Sequence, residues 1–346
     1  MKVFADILGI KDRNLAETSR LDWIDALRGL AMLLVIFGHL YKQRELFQFA
    51  NAVKIPLFFA ISGYLLYGRT QSTKTYFLSM LKRVVIPWLI LSLGFGLRFI
   101  LTQGFAFYAN YAVEVLIGIR AWYMICCIIA QTLFFFLIKL LGDGWKLCIS
   151  VIAITAVVLL FGTKRVNEPF QVTTALISQS FLLMGYLLKK YEYKLRDVKF
   201  WMALGLLGAY VALVILGMFL FPKCSMDIHM DAYYNIPYCF LLIVVGCVAL
   251  FLCAQKIKRF PRWLLFIGQN TLVFFMHATF WTDLAREGLS LMKISLPKTW
   301  YGMLVLLTLC CIGCAFEAII LNKFFPEAAG KERKKIQKAN NRFTKG

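Results

Sequence analysis

Apolar residues run along nearly the whole chain in long stretches, interrupted by short polar clusters. A helix that crosses a bilayer needs ~20 mainly apolar residues. Ten stretches meet or approach that length, at about 26–42, 53–69, 84–103, 121–141, 147–162, 170–190, 200–221, 233–254, 263–283 and 300–322. The first, second and fifth are short. Charge clusters, or turn signals such as Gly142-Asp143-Gly144, mark the breaks. No internal repeat, long linker or low-complexity tract divides the chain. The pattern predicts an all-α fold: one polytopic transmembrane helical bundle of about ten spans.

Composition supports this. Hydrophobic residues make up 60% of the chain and charged residues 16%, whereas soluble domains are about half apolar and a quarter charged. The net charge of +21 raises nucleic acid as a partner. The basic residues, however, fall between apolar stretches and form no separate aromatic-basic domain, so no nucleic acid is expected. They set the orientation instead. With the N-terminus in the cytoplasm, 27 Lys and Arg fall in cytoplasmic segments and 11 on the other side, with Arg28 inside the first span. Both termini are then cytoplasmic. Residues 1–20 read as an N-terminal interfacial segment, without the short apolar core and small-residue site of a cleavable signal. Residues 326–346 read as a basic cytoplasmic tail held against anionic lipid. Cys311-Ile-Gly-Cys314 has a C-x-x-C spacing, but it lies within a span and lacks a second pair or a nearby His, so no metal site is expected.

Few polar groups lie within the spans. Ionisable residues in a membrane helix usually face the bundle interior or a water-filled cavity and mark a site. Arg28 and His39 are eleven residues apart on the first stretch, close to three whole turns, which places them on one face ~16 Å apart along the axis. Asp25, three residues before Arg28, either pairs with it or serves as a helix-start acid. Ser62-Gly63 in the second stretch is a small pair that lets a backbone or a ligand come close. Arg98 lies in the third stretch. Glu114 sits in an apolar segment too short to span, ahead of the fourth. Trp122 and Tyr123 follow at a span end, where such residues form an interfacial belt. Asn270 and His277 are expected to share a face of the ninth stretch, with His277 a hydrogen-bonded bundle residue. Glu317 on the last span is a buried carboxylate, a candidate partner of Arg98 or Arg28. His229 reads as a solvated loop residue.

There is no serine elbow, Walker loop, H-E-x-x-H motif or glycine-rich dinucleotide turn. A His base with a positioned Arg suits abstraction of a hydroxyl proton, with Arg holding phosphate or carboxylate. Intramembrane Arg, His and Glu also fit a transporter or flippase for an anionic glycolipid or polysaccharide. The Arg–His spacing, and the lack of matching broken helices in two halves, favour an enzyme over that reading. A synthase subunit without activity would leave Arg28 and His39 unexplained.

Trp23-Ile-Asp25-Ala-Leu-Arg28-Gly29, with His39 behind it, resembles the opening of the integral-membrane acyltransferase-3 family, and most of all its fucose 4-O-acetylase-like branch. Pro56-Leu-Phe-Phe-Ala-Ile-Ser62-Gly63-Tyr64 resembles that family's P-L-F-F-x-x-S-G-F/Y. Trp122-Tyr123-Met124, Phe181-Leu-Leu-Met-Gly185-Tyr186 and Ile267-Gly-Gln-Asn270-Thr-Leu272, the last with His277 behind it, are similar to weaker motifs. The resemblance covers nearly all the spans, about 21–325. It implies transfer of an acyl group, usually acetyl, from cytosolic acyl-CoA to a carbohydrate or other extracytoplasmic acceptor. The donor, acetyl-CoA or another acyl-CoA, is a co-substrate, and no bound cofactor is implied. Arg28 and His39 take the family's Arg and His positions: His39 as general base, Arg28 at the donor, Asp25 holding Arg28, and Ser62 and Gly63 lining the path. The remaining partners implied are a saccharide or lipid-linked saccharide acceptor and membrane lipids. The implied location is a bacterial inner membrane, where the chain would act without an added esterase-like domain.

The charge bias generates a test. In a cysteine-poor variant, single cysteines at positions 2 and 194 should label from the cytoplasm and one at 227 from outside. External labelling at 194 would refute the ten-span orientation.

Overall fold

A computed structural model describes residues 21–40, 44–68, 72–161, 168–221, 225–227, 232–297 and 299–331, with backbone alone at 44–51, 225–227 and 232–234. His229, residues 1–20 and most of the basic tail lie outside the described residues. The helices are α1 (Asp22–Leu40), α2 (Arg44–Leu66), α3 (Thr73–Gln103), α4 (Phe105–Leu116), α5 (Trp122–Leu141), α6 (Trp145–Phe161), α7 (Val172–Lys190), α8 (Phe200–Leu220), α9 (Ile236–Lys256), α10 (Arg262–Gln269), α11 (Thr271–Leu291) and α12 (Trp300–Phe324). A short two-stranded ribbon, Ser225–Asp227 against Ala232–Tyr234, joins α8 to α9. The chain folds as an all-α polytopic membrane bundle. Seven described helices are long and apolar enough to cross a membrane, and the bent pair α10–α11 makes an eighth. The apolar part of α2, Ala52–Leu66, and the whole of α6, Trp145–Phe161, are shorter.

Three expectations change. The third span begins at Thr73, because a π-helical turn at Leu81–Val85 carries the helix through Lys82 and Arg83 without a break. The ninth stretch is not one helix. It bends by 94° between α10 and α11, so α11 is the crossing arm and α10 turns aside. Asn270 is the joint, with non-helical φ −125° and ψ 24°. Its side-chain amide donates to Phe266 O at 2.7 Å and its Oδ1 accepts from Asn322 Nδ2 at 2.8 Å and from Lys331 Nζ at 2.7 Å. These bonds serve polar groups that a break in a membrane helix leaves open. The expected start of the tail forms a 3-10 turn at Pro326–Ala329, and the Gly330 that caps it lies against the Arg83 carbonyl.

Burial orders the helices: 56% of α1 and 61% of α7 lie inside the bundle against 22% of α8, which faces outward. Without a hydrophobic drive between membrane helices, close backbone packing does the joining. A Cβ on Gly63 of α2 would stand 1.9 Å from Leu182 O of α7, and one on Gly185 of α7 would stand 1.7 Å from Ala60 O of α2. α1 and α10 repeat the device through Gly29 and Gly268, which lie against Leu264 O and Asp25 O. Trp23, Tyr64 and Phe251 then join α1, α2 and α9 with ring centroids 5.1–5.7 Å apart.

Gly185→Ala should therefore lower the melting temperature in detergent markedly, because the contacted atom is backbone and overpacking costs ~1–3 kcal/mol. Gly205→Ala, with open space around it, is the control. Equal melting of the two variants would contradict the α2–α7 crossing.

Candidate functional site

α1 is one unbroken helix from Asp22 to Leu40, so Arg28 and His39 share a stripe with a rise of ~16 Å between them. Their settings differ. Arg28 is half-buried in the bundle, with its Nη1 4.0 Å from Oδ1 of the buried Asp25. Asp25 is 2% exposed, which is tolerable for a carboxylate only beside a cation and hydrogen-bond donors. Arg28 also lies within electrostatic range of Tyr123 and Cys127 on α5.

Tyr123 is not a belt residue. It is buried, with its ring 5.4 Å from Phe59 of α2 and 5.1 Å from Phe275 of α11. Phe59 is seven residues from the end of α2 at Leu66, a rise of ~10 Å. α5 therefore begins well inside the bundle, level with Arg28, and Trp122 beside Tyr123 is half-buried too. The turn ahead of α5 is strained. Ala121 has φ 52°, and the neighbouring Phe170 and Gln171 have φ 62° and 52°, with Phe170 N donating to Ile117 O at 2.6 Å. Non-glycine residues in the left-handed region cost ~1–3 kcal/mol each and cluster at functional sites. Glu114 pairs with Arg120 at this turn, and Arg120 lies 5.2 Å from the Tyr111 ring centre. Burial pushes the Tyr111 phenol above its ordinary range, against the pull of Arg120 and Arg98.

His39 stands at the other end of α1, one residue before Leu40, and is exposed. Together with Thr279, Thr282, Asp283 and Arg286 of α11 it lines a pocket of about 80 Å³. Lys54 of α2 is a residue that sequence reasoning missed. Its Nζ lies 3.2 Å from where a Cβ on Gly38 would be, so its ammonium rests against the backbone next to His39. The available signal was a lysine inside an apolar stretch, two residues before Pro56.

His277, Glu317 and Arg98 form a separate cluster, away from the expected pairing of Glu317 with Arg28 or Arg98. His277 Nδ1 meets Glu317 Oε1, and Trp281 Nε1 donates to Glu317 Oε2 at 2.9 Å. His277 Nε2 faces Leu91 O at 3.3 Å. A carbonyl only accepts, so Nε2 carries hydrogen. The Nδ1–carboxylate contact then needs one more, on either partner. No ring nitrogen is left to take a proton from a substrate, and His277 reads as a strut joining α3, α11 and α12. Phe95 stacks on it at 4.7 Å, and Arg98 lies 3.8 Å over Phe95. Asn270 is at the helix joint rather than on a shared face with His277.

Ser62 Oγ donates back to Phe58 O at 3.0 Å, and Gly63 packs on α7, so both have packing roles. Trp88 Nε1 and Ser92 Oγ, four residues apart on α3, are buried with no hydrogen-bond partner among the described residues. Among the described residues there is no cluster of three His, Cys, Asp or Glu able to hold a metal ion.

The family model described as an acyltransferase domain, acyltransferase-3, matches residues 21–325. No curated protein and no solved structure matches the chain significantly.

Removing one partner of a buried pair costs ~3–5 kcal/mol, because the other is stranded. Glu317→Ala should destabilise the protein strongly, and His277→Leu combined with Glu317→Leu should recover most of the loss. Equal melting of the Glu317→Ala variant and the parent would contradict the strut.

Proposed function

The chain belongs to the acyltransferase-3 family and is a membrane acyltransferase, and we propose that it moves an acetyl group from cytosolic acetyl-CoA to a sugar hydroxyl of a surface polysaccharide or its lipid-linked precursor. The observation that carries this is the continuous stripe on α1, with Arg28 inside the bundle and His39 at its far end, at a small pocket shared with Thr279, Thr282, Asp283 and Arg286. The chain is taken to sit in a bacterial inner membrane with both termini in the cytoplasm.

In this reading His39 takes the proton of the acceptor hydroxyl as its oxygen attacks the thioester carbonyl. The tetrahedral intermediate collapses with cleavage of the C–S bond, and the proton returns from His39 to the CoA sulfur. Arg28, fixed by Asp25, grips the donor farther down the stripe with a planar, permanently charged fork. Lys54 places a cation at the level of His39, where negative charge on the carbonyl oxygen needs stabilising.

The assay is acetyl incorporation into polysaccharide in membranes matched for protein amount. His39→Gln should lower kcat by ~10²–10⁴, the usual contribution of a general base. Arg28→Lys should act mainly on KM for acetyl-CoA. His277→Ala, compared at equal folded protein, should lose less than His39→Gln. More than half the parent activity in His39→Gln would overturn the base assignment.

A further inference from the structure

α6, α7 and α9 enclose an apolar groove of about 700 Å³ on the side of the bundle, lined by Val151, Ile152, Met184, Leu187, Tyr191 and Val244 among others. On α9 the lining runs from Ile236 to Val248, a rise of ~18 Å. That slightly exceeds one leaflet of a hydrocarbon core ~30 Å thick. The groove is nearly free of polar groups, and Val244 and Ile152 remain exposed within it. It therefore suits a hydrocarbon chain lying along the membrane normal.

One end of the groove is different. Tyr191 and Leu195 close it just past the end of α7, and Lys194 Nζ lies 5.4 Å from the Tyr191 ring centre. Arg196 and Lys199 are exposed close by. Lys189 and Lys190 are already engaged, with Glu192 and Asp143. Asp197 is exposed beside Arg196, and Glu192 is the acid next to Tyr191. Although burial pushes its carboxyl up, hydrogen bonds from Lys189 and Tyr64 hold it below the ordinary range, so it stays ionised and paired to Lys189. That leaves Lys194, exposed and set against the Tyr191 ring, as the cation at this end of the groove.

We propose that this groove binds an anionic phospholipid, with one acyl chain between α6, α7 and α9 and the phosphate headgroup against Lys194. The apolar length and the basic rim are both needed for that fit. The site is independent of the transfer reaction proposed above, since neither Arg28 nor His39 lines it.

The test is native mass spectrometry of the full chain from detergent, offered phosphatidylglycerol or phosphatidylcholine with identical chains. Phosphatidylglycerol should be retained about fivefold better, the factor expected of one basic residue near an anionic headgroup. Lys194→Glu should abolish that preference while keeping chain-dependent binding. Val244→Trp, which fills the groove at an exposed position, should reduce retention of both lipids. Equal retention of the two lipids by the parent would overturn the headgroup assignment. Unchanged retention in Val244→Trp would overturn the groove, placing the lipid at the basic rim alone.

Discussion

Glycine-mediated backbone contact is the constraint on which the bundle depends. α2 and α7 cross with Gly63 and Gly185 each against the other helix's carbonyl, and α1 and α10 cross through Gly29 and Gly268. In lipid the side chains gain little by leaving one apolar environment for another, so dispersion at short range must hold helices together. Gly268 lies on the Asp25 carbonyl, which fixes the part of α1 that presents Asp25 and Arg28. Any side chain at Gly268 would push α10 off α1 and disturb the Asp25–Arg28 pair.

The charges sort by what they can reach. Inside the bundle, Arg28 has Asp25, and Glu317 has His277 and Trp281. Such pairs seldom add net stability, because desolvation offsets attraction, but losing one member is costly. They therefore constrain the packing more than they strengthen it. The His277–Glu317 strut ties three helices together, and Asn270 secures the bend beneath it with Asn322 and Lys331. The bend lets α10 lie across α1 while α11 crosses beside it.

Hydropathy alone located most of the helical regions within a few residues, because the bilayer imposes length and apolarity on any spanning helix; it missed the starts of the second and third, at Arg44 and Thr73, and the end of the ninth, at Leu291. The bend at Asn270 was hidden, since an Asn within an apolar run reads equally as a polar contact or a joint. Arg28 and His39 were visible because a charge in a span is rare. Their different surroundings were not, because periodicity fixes a face and not the depth of neighbouring loops. Tyr123 illustrates this: its position at a span end suggested the membrane surface, yet the strained turn at Ala121 carries it down to Arg28. Lys54, at the start of the second stretch, was hidden because hydropathy does not show which backbone a lysine packs against.

The rise between Arg28 and His39 constrains any transfer reaction that uses both. Reacting atoms must come within ~3–3.5 Å of one another, and two side chains ~16 Å apart on one helix cannot both touch them. One residue must act on chemistry and the other on binding. His39 opens on a pocket with two threonines and an Asp283–Arg286 pair at 3.5 Å, surroundings suited to a polyhydroxylated acceptor. Arg28 sits among Asp25, Tyr123 and Cys127 in the middle of the bundle, so the proposed donor must reach it as a narrow, extended group. An acyl thioester at the end of a long flexible arm meets that requirement, because the arm can be held at Arg28 while the carbonyl is delivered to His39. In the proposed reaction this geometry would keep the anionic end of the donor on one side of the membrane while the acyl group alone crosses.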